Sequence, residues 1–294
     1  MLSAIVATVA VRVTSPRSLP LPPDGASPWV LSMRRLATST NPVHGGGLFF
    51  SDSLSKPSCL VQIVPQSGGG LRMQLGAWND TASASAVSIC VEALSNVETG
   101  AATALTFAAL DHEFVPQIEA ALIDLGWKVA WGPRANSLYS KPTPTAEAVG
   151  GTLPSLPEGC QLRALRLEDA ELVDSRWAFR SESSLKLVRS MVCEGPGCVG
   201  VEDERGVLCG WILRYAKGDL GMFHVEPEHR RRGLASALLR RAAEELEAVG
   251  EPAFAHVVEG NVASERCFEA NGWVRVATAD WLGFRKMEEE AEWR

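Results

Sequence analysis

Along the second half of the chain, apolar positions switch repeatedly between a period of two and a period near 3.6, the pattern of a domain that mixes strands and helices. CQLRAL (160–165) fits a short strand. LEDAELVDSRWAF (167–179) and SESSLKLVRSMV (181–192) carry apolar residues at helical spacing, the second with Ser183 as its cap. Three apolar runs follow between Gly197 and Val225, broken at Glu204–Gly206 and Lys217–Asp219, and these predict an antiparallel meander. LASALLRRAAEELEAVG (234–250) places Leu234, Leu238, Leu239, Ala242, Leu246 and Val249 on one side and its glutamates largely opposite, an amphipathic helix stopped by Gly250 and Pro252. AFAHVV (253–258) reads as a buried strand, NVASERCFEA (261–270) as a helix capped by Asn261, and WVRV (273–276) and WLGFRK (281–286) as two closing strands.

The first half ends on an echo of this last unit. IEAALIDLGWKVAWGPRANSLYSK (118–141) and ERCFEANGWVRVATADWLGFRK (265–286) share the layout helix, Gly-Trp, strand, polar turn, strand, Lys. The echo suggests an internal duplication. Lys141–Gly159 is rich in Pro, Gly and Thr and interrupts both helix and strand, so it reads as a linker. The expected organisation is a leader or disordered tail over 1–40, an N-terminal domain over 41–140, a linker over 141–159 and the working domain over 160–294.

Composition narrows the classes. Of 294 residues, 46% are hydrophobic and 21% charged, enough to build a packed core. No apolar run approaches the ~20 residues of a membrane span, so no membrane association is expected. The net charge of −7 argues against nucleic acid, yet Arg230, Arg231, Arg232, Arg240 and Arg241 are crowded together, which suits a small polyanion. The seven cysteines form no C-x-x-C pair; buried free thiols in a reducing compartment are expected, and no metal site, Cys193 and Cys198 included. The first forty residues hold Arg12, Arg17, Arg34 and Arg35 against the single acid Asp24 and are rich in Ser, Thr and Pro, the composition of a mitochondrial or plastid transit peptide.

The chemistry concentrates in GMFHVEPEHRRRGLASALLRR (221–241). A strand ends at Val225, a proline turn follows, and Arg230-x-x-Gly233-x-Ala235 opens the long helix. The first N–H groups of a helix lack internal partners and the helix dipole favours negative charge there; Gly233 and Ala235 are small enough for a phosphate to approach the main chain. Downstream stand Asn261, Ser264, Phe268, Gly272 and Trp273.

This arrangement resembles the GNAT superfamily of acyltransferases: R/Q-x-x-G-x-G/A after the fourth strand, then N-x-x-A/S-x-x-x-Y/F ending in Gly-Phe/Trp. Within it the sequence is most similar to the glycine N-acyltransferase family, over Leu162–Lys286, through the Trp and Ser-rich helical segment, the Gly-Trp strand and the loop matching L-P-E-Y-R. The resemblance implies a GNAT fold, with the N-terminal half a degenerate, non-catalytic copy. It also implies an enzyme that transfers an acyl group from acyl-CoA or acetyl-CoA to glycine or another small amino acid. Protein or peptide N-acetylation, and an inactive acyl-CoA-binding module, are the alternatives.

By the same resemblance, the segment Arg231, Arg232, Gly233, Leu234, Ala235 and Ser236 cradles the CoA pyrophosphate, with Arg230 adding charge. Phe223 and Val225 pair with the pantetheine, the Val225 N–H polarises the thioester carbonyl, and Asn261 bonds the pantetheine arm, with Ser264 and Phe268 at the same site. Glu228 matches the glutamate proposed as general base, with His224 second. Glu226 is expected to be a solvated turn residue, His229 a surface residue, and His256 and Cys267 packing residues. Phe268 stands where the common pattern has a tyrosine able to protonate the leaving thiolate.

Overall fold

Two unusually long strands organise the molecule. The computed structural model describes residues 11–13, 48–55, 57–66, 69–77, 83–96, 102–142, 156–192 and 195–287. They fall into two compact units, Met1–Asn136 with Thr278–Arg294, and Ser137–Ala277. The expected halves are both contiguous; of the observed units, unit 1 is not. Strand β6 (Trp127–Ser140) gives its last four residues to unit 2, and β12 (Val274–Lys286) gives its residues from Thr278 onward to unit 1. WVRV and WLGFRK are therefore one strand. The polar ATAD segment between them is carried through with a register shift between Asp280 and Leu282 against β5, so a bulge does there what a turn was expected to do.

The units repeat one topology. In unit 1, β1 (Val11–Val13), β2 (Leu48–Ser51), β3 (Cys59–Pro65) and β4 (Gly70–Ala77) pair antiparallel in sequence order, β4 pairs parallel with β5 (Ala104–Asp111), and β5 pairs antiparallel with β12. In unit 2, β7 (Gln161–Ala164), β8 (Val199–Glu202), β9 (Leu208–Arg214) and β10 (Leu220–Val225) form the antiparallel meander. β10 pairs parallel with β11 (Phe254–Val258), and β6 lies beyond β11. Helices occupy matching places: α1 (Ser83–Asn96) and α2 (Val115–Asp124) flank β5, as α5 (Leu234–Glu247) and α6 (Val262–Ala270) flank β11. In both units the second helix runs into a left-handed glycine, Gly126 or Gly272, and then a buried tryptophan, Trp127 or Trp273. The Gly-Trp echo in the sequence is this repeated corner. Val11–Val13, inside the stretch read as leader or tail, pairs with β2 and buries Val13, so a disordered tail does not describe those three residues. Residues 143–155 of the expected linker lie outside the described residues.

Unit 2 has a core on each face of its sheet. Helix α5 buries Leu234, Leu238, Leu239, Ala242 and Leu246 with Val199, Val201, Phe268 and Trp273, each buried leucine contributing about 1.5–3 kcal/mol. Val249 falls beyond the helix and is exposed, because left-handed Gly250 turns the chain away. On the other face, α3 (Ala170–Arg176) and α4 (Ser184–Met191) pack Val173, Val188 and Met191 against Trp211 and Leu213. The helix expected over 167–179 is a short 3-10 turn (Leu167–Asp169) followed by α3. Ser183 makes no side-chain cap bond; instead Ser184 Oγ accepts the Ser181 N–H at 3.0 Å.

Candidate active site

The site follows from a defect in the unit 2 sheet. Between Gly221 and His224 the register of β10 against β9 shifts, and Met222 takes a positive φ of 48°. This bulge adds a residue to β10 and bends it. Its parallel ladder with β11 accordingly consists of one pair, Leu220↔Ala255, whereas the corresponding β4–β5 ladder in unit 1 holds four, from Gly70↔Ala104 to Met73↔Phe107. Beyond Ala255, β10 and β11 make no further ladder pair among the described residues. Unit 1 is zipped where unit 2 is split, and its sequence before α1 lacks the arginine-glycine loop.

The side chains of β10 alternate between the two cores of unit 2. Phe223 and Val225 lean on the α5–α6 core. Met222 packs on the α3–α4 core, and the His224 ring stacks on Trp211 with centroids 4.8 Å apart and planes at 25°. After Val225 a 3-10 turn, Pro227–His229, leads into the loop; Arg230 folds back so that its Nε donates to the Val225 carbonyl at 2.8 Å. Arg231 (φ 60°) and Gly233 (φ 85°) are left-handed, and the first helical bond of α5 runs from the Ala237 N–H to the Gly233 carbonyl. No side chain caps the helix start, and a Cβ placed on Gly233 would meet nothing within 4 Å. The N–H groups of Leu234, Ala235 and Ser236 thus precede the ladder beside open space, flanked by exposed Arg230, Arg231 and Arg232. Such an arrangement can hold an anion. The Leu234 side chain is core, so only its main chain can serve a ligand. Ser236 Oγ accepts from Asn271 Nδ2 at 3.0 Å, and the same nitrogen reaches the Cys267 carbonyl at 2.7 Å. Asn271, which the sequence reading passed over, ties the start of α5 to the end of α6.

Asn261 caps α6 as expected, its Oδ1 accepting the Ser264 N–H at 3.3 Å. Phe268 is buried among Tyr139, Phe223 and Trp273, at 5.5, 5.9 and 5.0 Å between ring centroids. The nearby Tyr139 hydroxyl donates to Glu269 Oε1 at 3.1 Å. Cys267 packs beside this cluster, and His256 is buried with its Nδ1 3.1 Å from Asp219 Oδ2; both were expected to be packing residues. His229 is half-buried, not superficial, with Nε2 3.9 Å from Asp203.

The two carboxylates of the turn differ in environment. Glu228 is exposed on the 3-10 turn. Glu226, expected in solvent, is 7% exposed: its N–H donates to the Cys209 carbonyl at 2.9 Å, which folds the residue back onto β9. Its Oε1 accepts from Arg176 Nε at 2.9 Å, and its Oε2 lies 3.6 Å from His224 Nε2. The sequence signal for this was available in Arg176, at the end of a helix that packs on the same face. Burial holds the His224 imidazole below its ordinary pKa, with Arg230 and Arg176 acting in the same direction and Glu226 opposing them, so it is neutral at pH 7. Among the described residues no group of His, Cys, Asp and Glu side chains could hold a metal, and the six described cysteines are free thiols.

The comparisons with known proteins agree with this architecture. Residues 198–292 match the FR47-like protein family. A Drosophila protein of known structure superposes with a TM-score of 0.68 at 20% identity, covering 88% of this chain and 89% of that one. A tandem GNAT protein from the clavulanic acid biosynthesis pathway gives 0.53 at 16% identity over 91% of both chains. A GCN5-related N-acetyltransferase from Sphaerobacter thermophilus gives 0.51 at 14%, over 81% of this chain and 79% of that one. No curated protein sequence matches the chain. The fold is the GNAT acetyltransferase fold, present twice.

Proposed function

We propose that the chain is an acyl-CoA-dependent N-acyltransferase whose single active site lies in unit 2. The observation that carries this reading is the conjunction of the split β10–β11 ladder with the uncapped, arginine-flanked start of α5. The cradle of Arg231–Ser236 suits a pyrophosphate, and the strand edge at Phe223 and Val225 suits the amide groups of a pantetheine arm. The Val225 N–H would polarise the thioester carbonyl, and Asn261, whose Oδ1 is the atom engaged in capping, can donate from Nδ2 to the arm. Acyl-CoA fits this site as co-substrate, acetyl-CoA being the simplest case.

The acceptor in this reading is the amine of glycine or another small amino acid, a choice that rests on the sequence resemblance. The test is thiol release with acetyl-CoA, benzoyl-CoA and longer acyl-CoAs against a panel of amines. Turnover with glycine supports the reading, turnover with a peptide alone replaces the acceptor, and CoA binding without turnover leaves a binding module.

Two side chains compete for the role of base. Glu228 has the motif position; His224 has the burial and the ring placement beside β10. We assign the base to His224. Glu228→Gln is therefore expected to leave kcat within about 3-fold of the parent between pH 6.5 and 9, because an exposed turn carboxylate contributes little to proton transfer. A loss of 100-fold or more, recovered at high pH, would return the role to Glu228.

We also propose that residues 1–40 carry an organellar address, on the strength of four arginines against one acid. Met1–Asn41 fused to a fluorescent protein is expected to enter mitochondria or plastids; a diffuse signal rejects the address and leaves the enzyme assignment untouched.

A further inference from the structure

Glu226 has two oxygens and two different neighbours. Oε1 accepts from Arg176 Nε at 2.9 Å, and Oε2 faces His224 Nε2 at 3.6 Å. The His224 ring is held flat against Trp211, which is itself buried, so its edge is aimed and its rotation restricted. Nε2 is the nitrogen withdrawn from solvent, and the Glu226 carboxylate is the ion-pair partner that faces it. At 3.6 Å this is an ion-pair contact and not yet a hydrogen bond; catalytic hydrogen bonds are often long before substrate binds and tighten afterwards.

We propose that Glu226 and His224 form a base dyad, in which Glu226 fixes the imidazole with its proton on Nε2 and so leaves the Nδ1 lone pair to take the proton of the acceptor amine. Glu226 is a positioning residue here, and Arg176 positions it in turn. This inference rests on the acyltransferase reading. In the reaction, the amine nitrogen forms the C–N bond to the thioester carbonyl carbon while one of its protons passes to His224 Nδ1. The C–S bond breaks with its electron pair going to sulfur. The thiolate takes a proton from solvent, since Phe268 has none to give, and His224 returns its proton to solvent. The Glu226 carboxylate stabilises the transient imidazolium, against the opposing charges of Arg176 and Arg230.

The arrangement predicts an unusual penalty for an isosteric change. In Glu226→Gln the single amide oxygen is claimed by Arg176, which can only donate. The amide NH2 then faces Nε2, which must become an acceptor, and the imidazole proton moves to Nδ1. The base is present but carries its proton on the wrong nitrogen. We expect kcat at pH 7.5 to fall on the order of 10²–10⁴-fold with CoA affinity unchanged, the range that loss of a positioned base or its tautomer produces. Imidazole 15N–1H correlation spectra should show His224 changing from the Nε2–H to the Nδ1–H form. Glu226→Asp keeps the charge and the tautomer and should retain more activity than Glu226→Gln.

A folded Glu226→Gln with kcat within about 3-fold of the parent overturns the dyad, and so does a tautomer change without rate loss. Should Glu226→Gln not fold, Glu226→Asp decides: an Nδ1–H tautomer in that variant also overturns it. Failure of the parent protein to transfer any acyl group while it binds CoA defeats the acyltransferase reading itself, a separate outcome.

Discussion

Gly233→Glu is expected to weaken CoA binding by at least about 100-fold while unit 2 remains folded. Three physical terms act together. Gly233 has φ of 85°, a conformation that a non-glycine residue occupies at a cost of about 1–3 kcal/mol. Its would-be Cβ points into open space, so the new side chain meets no protein atom and the fold has nothing to rearrange around. The carboxylate instead stands among the free N–H groups at the start of α5, where it occupies the anion cradle and repels the pyrophosphate; a like-charge juxtaposition in a binding site costs several kcal/mol. Gly233→Asn separates strain from charge, since asparagine tolerates left-handed backbone, and should lose far less affinity. Calorimetry with free CoA checks both variants. Equal affinities for the parent and a folded Gly233→Glu would remove the pyrophosphate from this loop.

His224→Gln is expected to lower kcat on the order of 10²–10⁴-fold at neutral pH, again with CoA affinity preserved. The imidazole is the one titratable side chain of β10, its pKa is lowered by burial, and a stacked ring holds it in place. Its pKa lies below the ordinary 6.5, so the base form is complete at pH 7 and is lost as the pH falls through that lowered value. The acidic limb of the kcat profile in the parent should therefore lie below pH 6.5, and it should disappear in His224→Gln, leaving a slow rate that rises with free amine. A parent profile with its acidic limb above pH 7 would point to another group.

What could be read from the sequence was what depends on local chemistry. Five of the six buried positions of α5, Asn261 as a cap, the meander turns and the arginine-glycine loop all follow from periodicity or from the backbone needs of a few adjacent residues, and the structure places each as expected. The errors have a common origin in partners distant along the chain. ATAD looks like a turn because its polarity is local, whereas its pairing with Leu110 and Asp111 is not. Glu226 looks solvated because it stands in a turn sequence, yet Arg176, fifty residues earlier, decides its environment. The bulge at Met222 leaves no mark in composition, although the β10–β11 ladder holds a single pair beside it.

The exchanged strands also set an order of events during synthesis. Unit 1 contains the first 136 residues but lacks the strand that pairs with β5 until Thr278–Lys286 has been made. As the ribosome works, at about 5–20 residues per second, the open edge of β5 must wait for most of the chain to emerge. Meanwhile Ser137–Ser140, already translated, waits for β11. Unit 1 cannot close on its first 136 residues alone, so a nascent chain cut short before Thr278 would release an unpaired β-edge, the kind of surface that recruits chaperones or aggregates.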